Sequence, residues 1–535
     1  MKLINKPIIF SAVVAAILSS CGGSSEILST PITNIDNTPI KEQTLTEAEK
    51  HNWGHLDLVK DTIPGMSVDK AYTEIIKGQK GKKIIVAVID SGIDISHEDL
   101  DGVLWTNTKE IAGNGIDDDK NGYIDDIHGW NFLGTGYDEQ LEYVRIVGTG
   151  DTSIPRYAEA KALLEKEREQ VTPKKTRYEQ IYAAIKAADD AFTKHFGKAD
   201  YTNDEVKNLD TKDETLLKHK AVAAQMNGFG LASIQDAEST LKGEITKLAE
   251  SFNTGLNPEH KFRTTGDNPN DFNDKPGYGD GNVMPSVKTE AHGSHVAGII
   301  LAERNNGKGA NGVANNAELM SIRVVPNGDE YDKDVAKGIR YAVDNGAKII
   351  NGSFGKSFSM QSEWVRDAIK YASDNNVIFV HAAGNDSKNV DVEPNFPDDN
   401  TGGAEISNTY IRVGALAPKY GTGVVAGFSN YGKKNVDVFA PGAQVYSSTP
   451  ENEYKTFGGT SMAAPAVAGV AALVWSQYPK LSAAQVKQVI LASGVPVNTK
   501  VVVGGNAEDV RPFSDLSKSG KMVNAYNALI MASKM

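Results

Sequence analysis

The chain has 535 residues, 40% of them hydrophobic and 23% charged, which excludes a disordered polymer and leaves room for a large core and more than one ordinary domain. A formal net charge of −13 speaks against nucleic-acid binding, which needs a basic stripe. The single cysteine excludes an internal disulfide framework and a Cys-based zinc site.

In chain order, Lys2 and Lys6 open a basic start, and Ile8 to Leu18 is an apolar run. The run is too short to span a bilayer and suits the core of a signal peptide. Leu18-Ser19-Ser20-Cys21 follows and resembles a bacterial lipobox, which implies that Cys21 carries lipid and begins the mature chain. The alternative is an ordinary signal peptide with a chance cysteine. The expectation is a lipoprotein signal peptide over 1–20 and a polar linker over 21–50. The protein would then sit in the cell envelope, anchored by lipid to a bacterial membrane (the outer membrane), facing periplasm or exterior.

Ordered sequence is expected from Trp53 and Leu56. Lys83 to Asp90 is a continuous apolar run ending in an acid, the pattern of a strand buried on both faces of a parallel sheet. Comparable runs lie at Leu319 to Val325, Ala347 to Ile350, Val377 to Val380 and Tyr410 to Val413. Helical patterns at Lys333 to Asn345 and Ser362 to Asn375 alternate with them, which predicts an α/β fold with a mostly parallel sheet. Leu481 to Gln485 opens a further helix with Ser482 as N-cap. From 151 to 262 the alternation stops. Ala, Lys, Glu and Leu dominate, and Tyr157 to Val171, Arg177 to Phe196 and Ser233 to Phe252 read as helices, with Pro173 separating the first two. The expected layout is one α/β domain over 51–150 and 263–535, interrupted by a helical insertion over 151–262.

Three motifs carry chemistry. Val86-Ala87-Val88-Ile89-Asp90-Ser91-Gly92 delivers a carboxylate at a strand's C-terminal end, where sites form in α/β sheets; alone, such an Asp reads as a turn cap. His292-Gly293-Ser294-His295-Val296-Ala297-Gly298 suits a tightly packed helix start. Its two histidines lack the Glu of a zinc-protease helix. Gly459-Thr460-Ser461-Met462-Ala463-Ala464-Pro465 puts a serine at the start of a small-residue helix, whose first N–H groups and dipole favour a developing oxyanion. Ser461 is not in a Gly-x-Ser-x-Gly elbow, which speaks against an α/β-hydrolase.

Together these motifs resemble the subtilisin family of serine peptidases (subtilases, family S8), in which the triad runs Asp, His, Ser along the chain. The resemblance extends from about Trp53 to Asn527, the insertion excepted. It implies a three-layer fold and an extracytoplasmic serine endopeptidase acting through an acyl-enzyme on protein or peptide substrates. Ser461 would be the nucleophile, His292 the base and Asp90 its orienting acid, with His295 structural. Asn385, in Ala382-Ala383-Gly384-Asn385, matches the family's oxyanion donor; the plainer reading is a turn Asn after Gly. Ser353, Phe354 and Gly355 match the segment that pairs with substrate backbone, with Gly328 to Glu330 opposite and Asn395-Phe396-Pro397 at the base of the pocket for the residue before the scissile bond. The insertion reads equally as a lid over Ser461 or as a spacer. The alternatives are a catalytically inactive binding scaffold on the same fold, or a processing peptidase restricted to one partner.

Catalysis by a triad needs no metal, but structural calcium is expected. Asp117, Asp119, Asn121, Tyr123 and Asp125 occupy ligand positions of a calcium loop, with Gly122 at the turn. His128 stands where that loop has its bidentate Glu, so Asp126 would have to substitute. Asp99 matches a calcium ligand of the family, with the loop Asn305 to Val313 lending carbonyls. The alternative is an acidic loop that binds nothing.

Overall fold

The computed structural model describes residues 30–33, 35, 38–41, 43–228, 233–260, 263–275 and 277–535. Cys21 and the expected signal peptide lie outside the described residues.

A nine-stranded sheet organises the molecule. Its strands are β1 Ile84–Asp90, β2 Gly129–Asn131, β3 Ala317–Arg323, β4 Ile349–Gly352, β5 Ile378–Ala382, β6 Tyr410–Leu416, β7 Val438–Pro441, β8 Val495–Pro496 and β9 Lys521–Met522. They lie in the order β8-β9-β7-β6-β5-β4-β1-β3-β2. Every neighbouring pair is parallel except the edge pair β8–β9. The apolar runs become strands because helices cover both faces. Along β1, Val86 and Val88 enter one core, while Ala87 and Ile89 enter the other. A strand with two dry faces shows no polar alternation.

Helix α1 Glu142–Gly148 ends just ahead of the expected insertion, and within 151–262 lie α2 Tyr157–Phe196, α3 Asn203–Asn208, α4 Glu214–Gly228 and α5 Ile234–Glu250. The expected break at Pro173 is absent: α2 runs for 40 residues with Pro173 inside it. Proline removes one helical hydrogen bond, normally at about 3 kcal/mol. Here both Pro173 and Glu169, whose carbonyl loses that partner, are exposed, so the carbonyl is open to solvent and the cost is reduced. Packing anchors the helix on either side of the proline. Ala160 and Leu164 join Tyr143, Val144, Ile146, Leu256 and Phe358 at the base. Ile185, Ala188 and Phe192 join Tyr201, Val206, Ala223, Met226, Ile234 and Ala237 in a core of the insertion's own.

The remaining helices complete three layers. On one face lie α6 His292–Leu301, α9 Thr460–Gln477, α10 Ala483–Ser493 and α11 Ala525–Ala532; on the other lie α7 Asp332–Asp344 and α8 Ser362–Asp374. Ser482 caps α10, its side chain accepting from Gln485 N within a capping box. Helix α9 is rich in Ala because it is buried on all sides, and at its one glycine, Gly469, a Cβ would lie 2.5 Å from Val313 Cβ. Larger side chains would push α9 off the sheet.

Candidate active site

The three motif residues sit at the carboxyl end of the sheet. Asp90 ends β1, His292 opens α6 and Ser461 is in the first turn of α9. Asp90 is buried at 1% exposure. Its Oδ1 accepts from Ser91 N at 2.8 Å and lies 2.8 Å from His292 Nδ1. The tight approach of α6 to β1 follows from Gly293, where a Cβ would meet Gly92 O at 2.2 Å and Asp90 Cβ at 3.3 Å. Ser294 Oγ also accepts from Asp94 N at 2.9 Å, tying the two motifs together.

Burial alone would lower the pKa of His292, but the charge and hydrogen bond of Asp90 outweigh it and raise the pKa above the ordinary imidazole value. His295, one turn along, differs. It is fully buried, stacks on Phe457 with ring centroids 4.4 Å apart, and has Nε2 3.0 Å from Lys455 O. Burial depresses its pKa to about 3, so it stays neutral and packs. Glu290, which sequence reasoning did not single out, lies two residues before His292. Burial pushes its carboxyl up to about 7 despite the nearby Arg323 guanidinium.

Ser461 is held by a reciprocal pair of bonds. Pro465 has no N–H to give to the carbonyl four residues earlier, which is that of Ser461. Ser353 Oγ donates to that carbonyl instead at 2.9 Å, and Ser461 Oγ donates to Ser353 O at 3.1 Å. Asn351 Nδ2 in turn donates to Ser353 Oγ at 2.9 Å. The segment after β4 is thereby locked to the start of α9.

Asn385 is oriented by its oxygen. Oδ1 accepts from Thr460 N at 2.8 Å and from Thr460 Oγ1 at 3.0 Å, which leaves the amide NH₂ as a donor. A Cβ built on Gly459 would lie 3.5 Å from Asn385 Nδ2 and 3.6 Å from Ser461 N. Two donors therefore converge on one small volume beside Ser461. Nearby, a Cβ on Gly384 would meet Asn430 Nδ2 at 2.3 Å and Asn395 Nδ2 at 3.0 Å, and one on Gly355 would meet Phe396 O at 3.0 Å. Asn395 and Phe396 thus pack closely against Gly384 and Gly355.

In the expected calcium loop, Asp117 and Asp119 are joined by Glu110: oxygens of the three lie within 4.8 Å of one another. Each of the three already accepts hydrogen bonds, Glu110 from Asp119 N and Asp125 N, Asp117 from Asn121 N and Gly122 N, and Asp119 from Asn121 N and Asn107 Nδ2, which leaves a second lone pair on each oxygen for a cation. Asn121 is turned to the loop's own bonds, accepting from Tyr123 N at 2.8 Å and donating to Asp126 Oδ2 at 3.0 Å. Asp125 accepts from Asn114 N and Gly115 N at 3.2 and 2.9 Å. The Tyr123 ring packs edge-on to Trp130 and Tyr341. Asp126 is buried and accepts from Tyr341 Oη at 2.6 Å, and His128 Nδ1 lies 2.8 Å from Trp105 O. Glu110 escaped sequence reasoning because it lies upstream of the loop window; its acidic character was the only signal. Asp99 is fully buried away from that cluster. The loop after α6 does fold onto it, but through donors: Asn306 Nδ2 at 2.6 Å and Ala310 N at 3.0 Å.

The family model described as "Subtilase family" matches residues 81–509. The chain belongs to the subtilase family. It is 41% identical over 187 residues to the thermophilic serine proteinase of Bacillus sp. strain AK1, covering 35% of this chain and 43% of that protein. To the subtilisin of Bacillus sp. strain TA39 it is 33% identical over 306 residues, covering 53% and 69%. To thermitase of Thermoactinomyces vulgaris it is 40% identical over 239 residues, covering 44% and 74%. The chain thus spans less than half of the AK1 proteinase and about two thirds to three quarters of the other two.

Proposed function

We propose that the protein is a serine endopeptidase in which Asp90, His292 and Ser461 form the triad. The observation that carries this reading is the 2.8 Å contact between Asp90 Oδ1 and His292 Nδ1, at the strand ends where Ser461 opens α9. His292 takes the Ser461 proton as Oγ attacks the scissile carbonyl, then gives it to the leaving amine. Asp90 fixes the imidazole tautomer and stabilises the imidazolium. The Ser461 hydroxyl rotates away from Ser353 O to make the attack. Asn385 Nδ2 and Ser461 N stabilise the oxyanion. Water then hydrolyses the acyl-enzyme by the same steps reversed.

Substrate main chain lies as an added strand along Ser353, Phe354 and Gly355, and the residue before the scissile bond enters the pocket floored by Asn395 and Phe396. Glu110, Asp117 and Asp119 are the candidate holders of a calcium ion, which would tie down the acidic loop and take no part in the chemistry. Lipid at Cys21 would anchor the enzyme in the cell envelope.

The test is labelling of the chain with a fluorophosphonate, beside Ser461→Ala. Labelling confined to the native chain supports the reading. A folded native chain that never labels points to the inactive-scaffold alternative. Metabolic labelling with a fatty acid, abolished by Cys21→Ser, tests the anchor.

A further inference from the structure

The groove proposed for substrate runs between Ser353–Gly355 and Gly328–Glu330, and hydrogen bonding decides which groups face it. Phe354 O is 2.8 Å from His381 Nε2, and Lys356 exchanges both main-chain bonds with Phe396 at 3.0 and 2.8 Å. Backbone direction alternates along an extended chain, so Ser353 and Gly355 turn the opposite way, into the groove. Across it, Asn327 N donates to Tyr137 O at 2.7 Å and Asp329 N donates to Gln140 O at 3.3 Å. Gly328 and Glu330 are therefore the residues that turn inward. Ser461, bonded to Ser353 O, marks the catalytic end.

The other end is blocked. The Lys356 side chain crosses from one segment to the other, and its Nζ donates to Glu330 O at 2.7 Å. It is paired there with Asp332 at 3.0 Å and Glu142 at 3.6 Å. Arg145 of α1 reaches the same carbonyl through Nη2 at 3.0 Å and Asp329 O through Nη1 at 2.8 Å. Glu142, Glu330, Asp332 and Lys356 are all buried. The cavity left beside Lys356 and Asp332 measures about 10 Å³, room for about one water and no side chain. Glu330 O, the acceptor that a longer substrate strand would reach, is already taken by two cations.

We infer that Lys356, held by Asp332 and by Glu142 of α1, just ahead of the insertion, is the end wall of the substrate cleft. From Ser353 to this wall there is space for about three residues of extended peptide at ~3.3 Å each. The protein thus reads the three residues before the scissile bond and has no pocket for the fourth. Helix α1, from which the chain runs into the insertion, sets the reach of the site. This inference rests on the peptidase reading above.

Peptidyl p-nitroanilides with two to five residues before the scissile amide test it. For the native chain, kcat/KM should rise about tenfold on adding the third residue and change less than about twofold on adding the fourth or fifth. In Lys356→Gly combined with Asp332→Asn, which removes the wall without stranding its carboxylate partner, an apolar fourth residue should raise kcat/KM about tenfold, chiefly through KM. A native chain that gains tenfold from the fourth residue overturns the inference, whether or not the double variant folds. So does a folded double variant that stays indifferent to that residue. A chain that neither reacts with fluorophosphonate nor cleaves any member of the series overturns the peptidase reading, and the wall with it.

Discussion

Helices α9 and α2 are built on opposite plans. Between Thr460 and Ser476, every residue of α9 is buried except Ser461. Helix α2 has 40 residues and buries only Ala160, Leu164, Ile185, Ala188 and Phe192. In α9 the surrounding sheet and helices dictate almost every side chain, and the one residue left open is Ser461, the proposed nucleophile. In α2 the sequence is set by helix propensity and a narrow apolar stripe. Chemistry is placed on the over-determined helix, where a fraction of an ångström matters. The insertion has its own small core and meets the α/β body at its base, beside α1, which carries Glu142 and Arg145.

The largest effects should come from breaking the over-determined side. Ser461→Ala should remove all fluorophosphonate labelling. Asp90→Asn keeps the shape of the site but stabilises the wrong imidazole tautomer, a loss of about 10⁴ in kcat for a triad aspartate. The same aspartate sets the pH profile. His292 must be neutral to act as base, and its pKa is raised. Activity should therefore fall as pH is lowered through a midpoint above about 6.5, and in Asp90→Asn the residual activity should persist to lower pH. Glu290 also titrates at about 7, so Glu290→Gln separates the two: a midpoint that survives this change belongs to His292, and one that disappears does not.

Asn385→Ala comes next. Its Oδ1 is fixed by Thr460, so removal takes away one preorganised donor while the triad stays. The expected loss is about 10²–10³ in kcat with KM little changed, the magnitude known for such a donor in subtilisin itself. A loss confined to KM would make Asn385 a binding residue instead.

Calcium should act on stability rather than turnover. If the carboxylates of Glu110, Asp117 and Asp119 hold an ion, saturation at a hundredfold above Kd contributes about 2.7 kcal/mol. A chelator should lower the midpoint of thermal unfolding, and the shift should vanish in Asp117→Asn with Glu110→Gln. An unchanged midpoint in both proteins would leave the loop as a hydrogen-bonded turn.

Much of this was legible in the sequence, for reasons that differ by region. The strand through Val86 and Ile89 reads clearly because both faces are dry, and the three motifs are recognisable because small residues are forced wherever a helix start must touch a strand, as at Gly293 against Gly92. Pro173 misled because local propensity takes no account of contacts on either side, which keep α2 helical through it. Glu110 and the Lys356 wall were not legible at all. Each depends on side chains from separate segments meeting in space, and a buried lysine carries the same letter as an exposed one.

The smallest effect on turnover should come from the insertion's outer core, and it is the sharpest probe of the contrast between α9 and α2. Phe192 is fully buried among Tyr201, Met226 and Ile234, with no residue of the α/β body in that cluster. Phe192→Ala should cost about 3–5 kcal/mol there, enough to open a unit held by so few apolar contacts. Because the cluster is separate, opening should be local. Amide exchange should speed up between Ile181 and Leu241 while β1 and α9 stay protected, and kcat/KM on a short peptide should change less than about twofold. Leu164→Ala is the matched control. Leu164 shares the base cluster with Phe358 and Tyr143, beside the Lys356 wall, so the same kind of cavity should now raise KM. If Phe192→Ala slows cleavage as much as Leu164→Ala does, the insertion moves as one body with the cleft, and the division between an inner root and an outer core is wrong.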